Sequence, residues 1–113
     1  MLNLKNVKIG VKLTLIKNEK FFGSGLSHLL HLIEKNGSIK KACEEMDMAY
    51  SKAWKILKRV EKELNVKILD TTTGGAKGGL SKLTDEGKEL LLVYDKMNEE
   101  MEEAAEKIKN KYL

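Results

Sequence analysis

Cysteine occurs once, at position 43. A lone thiol excludes an internal disulfide and a cysteine-built metal cage. Cys43 instead reads as a small, partly buried residue on a helix. Proline and glutamine are absent while Lys and Glu are abundant, a bias of the kind found in proteins of thermophiles. No apolar run approaches the roughly 20 residues that a membrane-spanning helix needs. The opening MLNLKNVKIG lacks the apolar stretch and small-residue cleavage site of a secretory signal. The expectation is a cytoplasmic protein with no membrane partner.

What is present is enough for one domain and too little for two. The chain has 113 residues, 42% apolar and 34% charged, a foldable composition rather than a disordered one. Its net charge of +4 is unevenly spread: residues 1–48 carry +3, residues 49–84 carry +5 and residues 85–113 carry −4. A basic centre beside an acidic tail points to an anionic partner for the centre and a different task for the tail. There is no internal repeat and no low-complexity linker.

Val7, Ile9, Val11, Leu13 and Leu15 alternate with mostly polar residues, so the spacing predicts a strand over 7–16 with one buried face. KNEK (17–20) reads as a turn, and Phe21-Phe22 as the start of a return strand. Leu26, Leu29, Leu30 and Ile33 follow helical spacing and end at Asn36-Gly37. Ser38 caps a short second helix, Ile39 to Met46. MDMAY breaks it, and a third helix runs from about Tyr50 to Leu64 with Ala53, Trp54, Leu57, Val60 and Leu64 as its apolar stripe. VKILDTT (66–72) and GLSKL (79–83) read as two strands joined by a glycine-rich tip. Thr84 then caps a last helix, whose first turn holds Asp85 and Glu86, where the helix dipole favours acids.

Three short helices followed by a hairpin make the winged helix-turn-helix arrangement. In that arrangement the third helix enters the DNA major groove, the one groove in which every base pair shows a distinct donor–acceptor pattern. Ala42 is small where the second and third helices approach, and Met46 and Met48 bracket their turn. Tyr50, Ser51, Lys52, Lys55, Lys58, Arg59 and Lys62 form the polar face of the third helix. Ala49 to Lys52 are placed to meet base edges, and Lys55, Lys58 and Arg59 to meet phosphates. Ser38, Thr72, Thr73, Lys77 and Lys82 complete the candidate DNA-binding set. Trp54 reads chiefly as core, with its N–H near the surface.

Residues 38–71 resemble the winged helix-turn-helix of LysR-type regulators, through Ser38, Ala42, Glu44, Met48-Ala49, Arg59, Glu61, Glu63-Leu64 and Val66-Lys67. A closer resemblance is to the N-terminal domain of the ModE family of molybdate-responsive transcriptional regulators. It is carried by GSI (37–39), YSKAW (50–54), TGG (73–75), Gly78-Gly79, and LT with Gly87 (83–87). The resemblance implies a dimeric, sequence-specific DNA-binding domain. In the family that domain is joined to a molybdate-binding one, and this chain ends where the second would begin. A stand-alone DNA-binding module without molybdate binding is therefore expected, and a separate effector-sensing protein is a candidate partner. Thr71 stands where the family usually has Arg, which implies a weaker phosphate contact there.

Leu83, Gly87, Leu90, Tyr94, Met97, Met101, Ala104 and Ile108 are spaced alternately four and three apart, the repeat of a helix–helix seam. Its first turns are expected to pack on their own domain. Beyond about Asp95 the helix outruns a domain this small, so a second copy is its natural cover. Leu90, Tyr94, Met97, Met101, Ala104 and Ile108 are the expected dimer residues. A two-fold pair would read a palindromic operator with half-sites about one DNA turn apart. The expected architecture is thus mainly α with small β. An N-terminal strand or hairpin (1–22) and a winged-helix core (23–84) are followed by a long dimerisation helix (85–113).

Catalysis finds little support. Gly74 to Gly79 has P-loop glycine spacing, but Lys77 lies inside the loop and a strand, not a helix, follows. No nucleophile–base arrangement is apparent. His28 and His31 lack a matching carboxylate or thiol, so neither a metal nor a cofactor is expected. Two rivals to a specific regulator stay open on sequence alone: a non-specific chromosomal DNA-binding protein and a winged-helix protein-interaction module.

Overall fold

The computed structural model describes residues 1–72 and 80–113. Two short strands, β1 (Leu15–Ile16) and β2 (Lys20–Phe22), precede three helices, α1 (Ser24–Asn36), α2 (Ile39–Met46) and α3 (Tyr50–Leu64). Strands β3 (Leu69–Thr72) and β4 (Leu80–Leu83) follow, and α4 (Asp85–Tyr112) ends the chain. Each strand pair is antiparallel and forms its own two-stranded sheet. The fold is therefore mainly α with small β, a winged helix-turn-helix with a long last helix.

The helix boundaries follow from local chemistry. Gly37 closes α1 in the left-handed region (φ 68°) and returns its N–H to Ile33 O at 2.7 Å, a conformation that costs glycine nothing. Ser38, next in sequence, accepts the Lys41 N–H on its hydroxyl at 3.2 Å and so starts α2. Asp47, also left-handed (φ 52°), ends α2 by donating to Cys43 O and Glu44 O. At the last helix Thr84 accepts the Gly87 N–H at 3.0 Å and donates to Lys67 O at 2.6 Å, which caps α4 and ties it to the approach of β3.

The core lies where the three faces meet. Leu29, Leu30 and Ile33 from α1, Ala42 from α2, and Ala53, Leu57 and Val60 from α3 are fully enclosed together with Ile68. Ala42 and Ala53 leave room for α2 and α3 to approach, and Met46 and Met48 pack against the same cluster. Cys43 is buried beside them. Burial, reinforced by Glu44, pushes its thiol pKa up. The wing is hooked to the helices by Ser81, whose N–H donates to Gly37 O at 2.9 Å.

Two expectations are corrected. The strand foreseen over 7–16 is confined to Leu15–Ile16. Its partner β2 is three residues long, so among the described residues no strand pairs with residues 7–13. Val7, Ile9 and Val11 are 39%, 40% and 49% exposed. The second correction concerns α4. Tyr94 is 1% exposed, with its ring centroid 4.7 Å from that of Phe22 and its hydroxyl donating to Leu13 O at 2.9 Å. Leu90 also packs on the core. Tyr94 is thus occupied within its own domain and is withdrawn from the expected dimer seam, whereas Leu90 is only partly covered there.

Candidate nucleic-acid interface

Helix α3 presents one apolar and one polar face, as its spacing requires. Ala53, Leu57 and Val60 are buried, while Tyr50, Ser51, Lys52, Lys55, Lys58, Arg59 and Lys62 are exposed. No acidic side chain occupies its first turn. The residue before it, Ala49, supplies no side-chain cap, so the positive end of the helix dipole is left without a counter-charge of its own. Asp47 and Met48 belong to the tight turn that sets α3 against α2.

Along one edge of α3 three side chains stack at successive turns. The Tyr50 and Trp54 rings meet edge to face with centroids 6.1 Å apart, and the Lys58 ammonium sits 5.5 Å from the Trp54 ring centre. Trp54 is partly buried against the core. Its partial burial agrees with the expectation that it packs chiefly in the core. The indole thus contacts Tyr50 on one side and Lys58 on the other.

Glu61 has a function that sequence alone did not disclose. One carboxylate oxygen accepts the Ile68 N–H at 2.9 Å and the other lies 3.3 Å from Lys58 Nζ. A single side chain thus joins α3 to the start of the wing. Trp54, Lys58, Glu61, Lys67, Asp70 and Thr71 line the cleft between these two elements. Among the described wing residues, Thr71 and Lys82 are exposed on paired strands, with Thr71 opposite Ser81 and Asp70 opposite Lys82. Thr72 pairs with Leu80 at the end of β3. Thr73 and Lys77, assigned to the wing tip, lie outside the described residues. Ser38 is spent on capping α2 and is partly buried, so its hydroxyl serves the fold first.

At the other end of α3, Glu63 holds the β1–β2 turn. Its carboxylate accepts the Asn18 and Glu19 backbone N–H groups at 3.3 and 3.0 Å, and Lys17 Nζ donates to Glu63 O at 3.2 Å. A second clamp joins α1 to α4. Ser27 Oγ donates to Asp95 Oδ1 at 2.9 Å, and His31 Nε2 lies 2.7 Å from Asp95 Oδ2. Asp95 sits between Ser27 and His31, so the trio is not arranged as a nucleophile backed by a base. No cluster of three or more metal-ligating side chains is found among the described residues. No helix among them is long and apolar enough to cross a membrane.

This geometry accords with three comparisons. The solved structure of a mutant of Lactococcus lactis ZitR is similar over 97% of this chain and 75% of that one, at a TM-score of 0.59 and 16% identity, a likeness of fold. In sequence, the chain is 34% identical over 77 residues to the molybdenum transport protein ModE of Herbaspirillum seropedicae, covering 68% of this chain and 27% of that protein. It is 31% identical over 101 residues to the transcriptional regulator ModE of Haemophilus influenzae, covering 89% of this chain and 39% of that protein. The chain thus spans between about a quarter and two fifths of the length of these curated relatives. Residues 26–88, which run from α1 through the wing to the first turn of α4, match the model of the bacterial regulatory helix-turn-helix proteins of the lysR family, and the chain belongs to that family.

Proposed function

We propose that the chain is a sequence-specific, double-stranded DNA-binding transcriptional regulator that acts as a homodimer on a palindromic operator and carries no catalytic activity of its own. The observation that supports this reading best is the pairing of α3 with the wing. The exposed face of α3 is free of acids in its first turn, and Glu61 fixes the wing beside it. Two elements so held can address one groove and the backbone next to it.

Roles divide along α3. Ala49, Tyr50, Ser51 and Lys52 face base edges. Lys55, Lys58 and Arg59, with Lys82 on the wing, face phosphates, which position the protein without reading sequence. The helix-turn-helix likeness to ModE proteins supports DNA as the partner. A separate effector-sensing protein is a candidate partner, and the site of action is assigned to the cytoplasm. Neither a metal nor an organic cofactor enters the DNA-binding step.

The test is binding-site selection from a random duplex library, followed by affinity measurement across a salt series. Enrichment of a symmetric motif and a steep loss of affinity with salt support the reading. Salt-dependent binding without sequence enrichment would identify a non-specific chromosomal protein instead. The absence of duplex binding would leave the protein-interaction reading.

A further inference from the structure

Helix α3 is flanked on both edges. Glu61 accepts the Ile68 N–H and so holds the wing. Glu63 accepts the Asn18 and Glu19 N–H groups and so holds the β1–β2 turn. At about 100° per residue, the two glutamates lie about 200° apart around the helix, measured across its exposed side. Lys55, Lys58, Arg59 and Lys62 fall within that arc and are all exposed. The turn is firmly seated. Phe21 and Phe22 behind it are buried, Ile16 pairs with Lys20, and the Lys17 N–H donates to Glu19 O at 3.2 Å.

Asn18, Glu19, Lys58, Arg59, Lys62 and Glu63 line the cleft between this turn and α3. Lys17 and Lys20 bound the turn and are exposed. The nearby acids are mostly engaged. Both Glu63 carboxylate oxygens accept from the turn, including the Asn18 side-chain amide at 3.4 Å, and Glu61 is committed to Ile68 and Lys58. Glu19 adds one further negative charge to the lining. Lys20, Arg59 and Lys62 enter no ion pair among the described residues. Lys17 uses one of its three ammonium donors on Glu63 O. A group of cations left unpaired by its own chain suits an anion. Helix length indicates which one. The 15 residues of α3 span about 22 Å, against a major groove about 12 Å wide. With the first turn of α3 at base edges, its last turns stand level with the phosphate backbone.

We propose that the β1–β2 turn acts as a second wing, in which Lys17 and Lys20, with Lys62 of α3, bind a duplex phosphate on the edge of α3 away from the β3–β4 wing. The inference rests on the DNA-binding reading and adds a contact element to it. The phosphate lies outside the base pairs that the first turn of α3 reads. The contact therefore contributes affinity and orientation, and no sequence preference. Glu63 is a positioning residue, since it fixes the turn by its backbone. Glu19 acts against the contact and limits its strength.

The test measures affinity of the full chain across a salt series for two duplexes. One is the selected operator trimmed to its specified base pairs, and the other extends it by about five base pairs, half a helical turn, at each end. The parent is expected to bind the longer duplex more tightly, with a salt slope steeper by about 0.9 for each further phosphate neutralised. Lys17→Ala combined with Lys20→Ala leaves the Glu63 bonds to the turn backbone in place, so its thermal melt should be retained. This variant is expected to lose the gain from the longer duplex and to keep the parent's affinity for the shorter one. Glu19→Gln should enlarge the same gain. If selection yields no motif, a long random duplex should show the same fall in slope for the lysine variant. Equal losses on both duplexes, or a parent indifferent to the added base pairs, would overturn the second wing and leave DNA binding by α3 standing. Inorganic phosphate that raises the melting temperature of the parent but not of the lysine variant, with no gain from added base pairs, would assign the cleft to a free anion and overturn the proposal. A parent that binds no duplex would overturn the DNA-binding reading as well.

Discussion

The Cα of Gly87 lies directly against the backbone carbonyl of Ile68, so close that a Cβ at position 87 would run into that oxygen. The first turn of α4 is thereby pressed onto the entry to the wing. Thr84 N–H donates to the same carbonyl at 3.0 Å, so neither backbone can easily retreat. In the interior of an exposed helix, Gly→Ala stabilises by up to about 1 kcal/mol. Here the steric conflict outweighs that gain. Gly87→Ala is expected to destabilise the fold by about 2–3 kcal/mol, read as a lower urea midpoint with an unchanged slope. An equal or higher midpoint would show that the helix shifts to make room.

Glu61 predicts a loss of DNA affinity from a residue that needs no contact with DNA. Glu61→Ala strands the Ile68 N–H in a partly buried place, at an expected cost of about 1–3 kcal/mol in stability. It also frees the wing from α3. Glu61→Gln retains an acceptor oxygen and is expected to recover most of both properties. Parallel urea melts and operator titrations check this. If Glu61→Ala bound DNA as well as the parent, the wing would not depend on this tether.

Alkaline titration tests the packing of Cys43 and Tyr94. Burial holds the Tyr94 phenol above its ordinary pKa, with Asp95 and then Glu102 adding to the shift. Burial followed by Glu44 does the same for Cys43. Both groups ionise more readily in the unfolded chain. Their stabilising effect is full below the range where free thiols and phenols ionise, about pH 8.5 to 10, and is lost as pH rises through the folded values. Stability measured against pH is therefore expected to fall through that range. Tyr94→Phe should flatten the upper part of the fall, while lowering neutral-pH stability through loss of the Leu13 hydrogen bond.

The division of α3 can be separated by two readouts. Lys55→Ala and Arg59→Ala should weaken binding to all duplexes alike and reduce the salt slope by about 0.9 each. Tyr50→Ala and Ser51→Ala should instead change which sequences are selected. Trp54→Ala should disturb both, because Trp54 contacts both Tyr50 and Lys58. Identical effects from the two pairs would contradict the assignment.

The helices were legible because their signals are local. Gly37-Ser38, Asp47 and the Thr84 cap on Gly87 each act within four residues, so α2 falls where its cap places it and α3 where its spacing does. The misreadings have the opposite cause. Alternation at Val7 to Leu15 defines a face but not the strand that faces it. The repeat through Leu90 and Tyr94 defines a helix stripe but not which domain covers it. The answer for Tyr94 comes from Leu13, 81 residues away in sequence. Gly87 resembled a family signature before Ile68 gave it a physical reason. The Ser27–Asp95–His31 clamp joins residues more than 60 positions apart, and no spacing rule reveals it. Of the candidate DNA-binding residues, those on α3 share one exposed face because a single periodicity sets them all.

The central claim is that α3 and the wing read duplex DNA as a two-fold pair. Selection from a random duplex library tests it most directly. The account predicts an enriched inverted repeat whose half-sites are separated by about 10 base pairs or a multiple of that. Tyr50→Ala should alter the motif, and Arg59→Ala should leave it unchanged. A library that emerges without any enriched motif, or with a single unrepeated site, would contradict the account.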